Sequence, residues 1–123
     1  MKSFNIEISN VEKGPKELML QLPIQAEVVK QLPGKDRPDY FLAKLESPVL
    51  WVDKARGINL EISYMVICSK FKGQKIDNGM KDLKIAIAYV IDDSIINDNL
   101  LSLKKLKYVA IGDATALKKW GIF

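Results

Sequence analysis

The chain has 123 residues, 19 Lys and Arg against 15 Asp and Glu, a net charge of +4, and 48% hydrophobic with 28% charged residues. Those proportions belong to one globular domain, residues 1–123, able to build its own core, and they exclude a disordered chain. Histidine is absent and cysteine occurs once, which removes histidine-based acid–base and nucleophile chemistry, the commonest metal ligand and any intramolecular disulfide framework.

The first ten residues, MKSFNIEISN, carry one lysine and no apolar run. The expectation is therefore no secretory leader and a cytoplasmic protein. No stretch approaches the ~18 uninterrupted apolar residues of a membrane span. Phe4, Ile6 and Ile8 alternate with Asn5, Glu7 and Ser9, the period of a half-buried strand. After the turn NVEKGPK, the alternation Leu18, Leu20, Leu22, Ile24, Ala26, Val28 predicts one long strand or two bent around Pro23,.

QLPGKDRPD then breaks the chain. Phe41, Ala43 and Leu45 resume the alternation, Ser47-Pro48 interrupts it, and VLWV continues it. DKARG has the length of a hairpin turn. Ile58, Leu60, Ile62, Tyr64, Val66 and Cys68 alternate again, but both faces turn apolar from Met65. That requires either a strand covered on both sides or a bulge that switches faces. LKIAIAYVI and KYVAIG are two further strands. DDSIINDN predicts a short helical turn capped by Asp93 or Ser94. DATALKKWG predicts a short helix capped by Asp113 or Thr115 and stopped by Gly121.

The result is an all-β, mainly antiparallel chain of about seven strands, a small barrel or sandwich, with one or two short helices, the last near the C-terminus. No predicted helix is long enough for parallel crossovers.

Charge is uneven. Residues 1–61 carry nine basic and nine acidic side chains, whereas residues 62–123 carry ten lysines and six aspartates. Lys35, Asp36, Arg37, Asp39 and Tyr40 form a loop stiffened by Pro33 and Pro38. It reads first as backbone punctuation and second as a contact surface for another protein. Asp53, Lys54 and Arg56 are a charged hairpin tip that would join the first loop in one mixed-charge patch if the fold brought them together. Lys70, Lys72 and Lys75, with Phe71 among them, are candidate nucleic-acid contacts, to be extended by Lys104, Lys105, Lys107, Lys118 and Lys119 if they align. The alternative for such lysines is protection of a strand edge. Asp92, Asp93, Asp98 and Asp113 match no Ca²⁺-loop spacing, and no metal or cofactor is expected. Cys68 is read as an inert buried thiol, and Trp51 and Trp120 as core or rim aromatics.

No nucleotide-binding loop, zinc spacing or nucleophile elbow occurs. The expectation is a non-enzymatic protein that binds another protein, of inhibitor or immunity type. The alternative is a nucleic-acid-binding barrel that uses the lysine-rich second half. A third reading is a carrier of a small apolar ligand, lined by Ala86, Ala88 and the stretch around Met65–Ile67.

Overall fold

The computed structural model describes residues 3–35, 39–71, 76–77 and 79–117. Six strands, β1 (Phe4–Lys13), β2 (Ile24–Gln31), β3 (Phe41–Asp53), β4 (Ile58–Ser69), β5 (Leu83–Val90) and β6 (Leu106–Leu117), run in sequence order around a closed barrel. Every neighbouring pair is antiparallel, and β6 closes on β1. Closure pairs both sides of most strands and so removes most of the edges an open sheet would expose. No helix among the described residues is long and apolar enough to cross a membrane.

The inward face follows the period-two pattern. Phe4, Ile6 and Ile8 of β1, Ile24, Ala26 and Val28 of β2, and Leu83, Ile85, Ile87 and Tyr89 of β5 all lie in one buried cluster. β6 faces them with Ala110, Ala114 and Ala116. Small side chains on one strand make room for large ones opposite, as a narrow barrel requires. Gly112 belongs to the same inward phase, and a Cβ there would sit 2.3 Å from the Asn10 carbonyl oxygen. β1 and β6 approach this closely where their register slips between Ile8 and Asn10 and again between Val11 and Lys13. On the outer side of that seam, Asp113 accepts a hydrogen bond from Asn10 Nδ2 at 3.1 Å and pairs with Lys84 Nζ at 3.0 Å. The Asn10 and Lys84 bonds together hold the Asp113 carboxyl below the usual carboxylate range,.

Three local expectations are corrected. Residues 18–22 are not strand: Lys16–Met19 form a single helical turn, α1, behind Pro15. Leu18 is buried, whereas Leu20 is 84% exposed. Lys, Glu, Leu and Met are good helix formers, and Pro23 has no N–H for a ladder. Residues 113–117 are strand and not helix. Ala114 pairs with Ile8 and with Leu83, and Ala116 with Ile6, so barrel closure overrides the helix propensity of alanine. Residues 118–121 of that expected helix, with Trp120, lie outside the described residues. The segments on either side of Ser47-Pro48 are one strand, β3, with an irregularity between Lys44 and Val49.

β4 does both things its sequence allowed. Ile62, Met65 and Ile67 all face the barrel core, so the inward phase switches between Ile62 and Met65. Beyond the switch, Val66 points outward into a second cluster with Leu32, Leu42, Val90 and Ile95. The connection 91–105 supplies that cover. It is held by Lys30 Nζ, which donates to the carbonyls of Ile96 and Asp98, and by Lys105 Nζ on Asp98 Oδ2 at 2.7 Å. Its short 3₁₀ turn, Asp93–Asn97, is capped by Asp92, which accepts the Ser94 N–H. Hydrogen bonding from the Ser94 side chain first, and from its N–H second, lowers the Asp92 pKa,. Ala86 and Ala88 lie in the outward phase of β5, half-buried, so they do not line an interior cavity.

Candidate contact surface at the hairpin end

β3 decides which candidate residues can act together. The loop holding Lys35, Asp39 and Tyr40 enters β3 at Phe41, and the tip holding Lys54 and Arg56 leaves it at Asp53. Phe41 pairs with Ile67 and Asp53 with Ile58, so the nine steps along β4 between them put these ends about 30 Å apart at ~3.3 Å per residue. The single mixed-charge patch expected from sequence therefore does not form.

At the first end, Leu32 N–H donates to the Tyr40 carbonyl at 2.8 Å and pins the loop base. Asp39 is buried, Tyr40 half-buried and Lys35 exposed. Asp36 and Arg37 lie outside the described residues. Lys70 is exposed and Phe71 is 61% exposed at the same end of the barrel. Lys72 and Lys75 lie outside the described residues, as do Lys118 and Lys119. Lys104 and Lys105 precede β6 at the opposite end, so they do not extend a stripe from Lys70.

The second end is built from α1 and the β3–β4 tip. The 3₁₀ turn Lys54–Arg56 is followed by Gly57 at φ +67°, a left-handed position that glycine takes without steric cost. Asp53 lies 3.8 Å from Arg56 Nε, and Lys54 Nζ lies 3.9 Å from Glu17 of α1. In both pairs the cation is exposed and the carboxylate half-buried, so they contribute little to stability, but they set the spacing of charges around the tip. A groove of about 410 Å³ runs between them, lined by Lys16, Glu17, Val52, Asp53 and Lys54 among others.

Gln21 ties α1 to the hairpin. Its Nε2 donates to the Leu50 carbonyl at 2.7 Å, and its Oε1 accepts the Leu50 N–H at 2.8 Å. Met19 and Leu20 on the α1 side of this tie and Leu50 on the β3 side are 37%, 84% and 47% exposed. Beneath them Trp51 is fully buried, its ring 4.8 Å from that of Tyr89. Burial and the Asp53 carboxylate raise the Tyr89 pKa, partly opposed by Arg56,.

Of the predicted contact residues, Asp53, Lys54 and Arg56 fall here. Lys16, Glu17, Met19, Leu20 and Leu50 went unpredicted because Leu18 to Leu22 reads as strand. The available signal was Gly14-Pro15 ahead of Lys-Glu-Leu-Met, since proline favours helix starts. Comparison of the chain with protein-family models, curated proteins and solved structures returns no match.

Proposed function

We propose that this protein is a non-enzymatic, cytoplasmic binding module that contacts another protein through the end formed by α1 and the β3–β4 tip. The observation that carries this is the trio Met19, Leu20 and Leu50, exposed on the same two segments that supply a groove lined by Lys16, Glu17, Asp53 and Lys54. Large apolar side chains ringed by charged ones are the usual make-up of a protein contact, with a desolvating centre and a polar rim. The surface is pre-ordered by Gln21 and by the buried Trp51, so little entropy is lost when a partner docks. Cys68, buried and in no disulfide, fits a reducing compartment.

The test is affinity capture from host extract with the full chain and with the double substitution Leu20→Asp, Leu50→Asp. A partner retained by the native chain should lose at least on the order of tenfold in affinity, about 1.4 kcal/mol. Identical capture by both chains overturns the assignment. A second reading, single-stranded nucleic acid at the opposite end, rests on exposed Phe71 beside exposed Lys70,. Salt-sensitive binding of an oligonucleotide, unaffected by the double substitution, would favour it.

A further inference from the structure

β3 and β4 stay paired with each other beyond the point where their other neighbours stop. The last β2–β3 pair is Ala26 with Leu45, and β5 leaves β4 at Met65. The hairpin formed by 46–63 therefore projects with two outer edges. The β3 edge is closed, because Pro48 has no N–H to offer and Gln21 occupies both backbone groups of Leu50. On the β4 edge, residues 58–63 have no ladder partner other than β3 among the described residues. That edge reads Ile-Asn-Leu-Glu-Ile-Ser, without the lysine or proline that usually blunts an exposed strand. Asn59, Leu60, Glu61 and Ser63 are exposed, and no ion pair to Glu61 is present among the described residues.

We propose that this edge pairs antiparallel with the same edge of a second copy of the chain, Leu60 against Leu60 on the two-fold axis. Self-complementarity selects the occupant. Centring the axis on Leu60 puts Ile58 opposite Ile62 twice and Asn59 opposite Glu61 twice, so each Asn amide can donate to a carboxylate. Centring it on Glu61 sets like charges face to face, which is destabilising. Centring it on Asn59 runs the pairing into the Arg56-Gly57 turn. A shift by one residue would bring the apolar face of one strand beside the polar face of the other. In the favoured register the two hairpins make one four-stranded sheet, β3–β4–β4–β3, with an unbroken apolar face. Leu60, 40% exposed although its cross-strand partner Trp51 is fully buried, is covered by its own copy. The pairing does not depend on the α1 surface.

Sedimentation equilibrium of the full chain from low micromolar to sub-millimolar concentration tests it. The expected result is a shift from 13.9 kDa to twice that mass. Leu60→Lys and Leu60→Glu should each weaken dimerisation on the order of tenfold or more, by placing like charges on the axis. An equal mixture of the two should restore it. Should either charged variant fail to fold, Leu60→Cys serves instead and should cross-link into a disulfide dimer under mild oxidant. A native chain that stays at 13.9 kDa throughout, a mixture of folded variants that stays monomeric, or a Leu60→Cys chain that never cross-links overturns the proposal. A strand from another protein as the only binder of this edge would do the same.

Discussion

The two edges of the β3–β4 hairpin belong to one paired ribbon and are finished in opposite ways. On β3, proline removes a donor and a glutamine side chain imitates the missing strand, taking the N–H and C=O of Leu50 at 2.8 and 2.7 Å. On β4, six residues run with no ladder partner but β3 among the described residues. A barrel abolishes edges only where all its strands overlap. Wherever two strands outrun the rest, the edge problem returns, and each edge is either sealed or used. The sealed edge carries the proposed α1 contact surface, and the open one carries the proposed self-pairing.

The largest expected effect comes from removing what seats both edges. Trp51 is fully buried against Tyr89, and Trp51→Ala should cost about 3–5 kcal/mol through lost burial and a residual cavity. Urea unfolding measures this. Amide exchange should speed up on both hairpin strands together. A cost below about 1 kcal/mol would mean that Gln21 and the tip, and not the core, hold the hairpin down.

Gln21→Ala separates the two edges. It deletes two hydrogen bonds to Leu50 and one to the Glu17 carbonyl, all to backbone that water can partly resolvate, so about 1–2 kcal/mol is expected. Exchange of the Leu50 amide should accelerate, with the Glu61 amide unchanged. If both respond equally, the hairpin moves as one body and the contrast between its edges fails.

The inward face was legible because it needs only local alternation. Phe4/Ile6/Ile8, Ile24/Ala26/Val28 and Leu83/Ile85/Ile87 carry the period of two and face the core. The same alternation misled at Leu18, Leu20 and Leu22, where a helical turn and a bend also place one leucine inside and the next outside. At Ala114 and Ala116 the helix preference of alanine hid a strand whose closing partners on β1 lie about a hundred residues away. Charges at Asp53, Lys54 and Arg56 marked a tip from sequence. Leu20 and Leu50 could not be told from core residues until α1 was placed. An open edge leaves no local trace at all, because it is defined by where β5 stops and not by anything in residues 58–63.

The smallest expected effect lies in the alkaline limb of the stability curve. Tyr89 sits under Trp51 with its pKa raised above the ordinary value of about 10 by burial first and by Asp53 second,. The folded state thus holds the phenolic proton more tightly than the unfolded chain does. Its contribution is fully present below about pH 10 and is lost as pH rises from there through the folded-state value. Lysines and the other tyrosines titrate in the same range, so the informative quantity is a difference between two chains. Tyr89→Phe should lose stability less steeply above about pH 10 than the native chain, whatever it costs at neutral pH. Parallel curves for the two chains would show that the hydroxyl reaches water at the hairpin mouth. In that case Trp51 alone seals the barrel beneath the two edges.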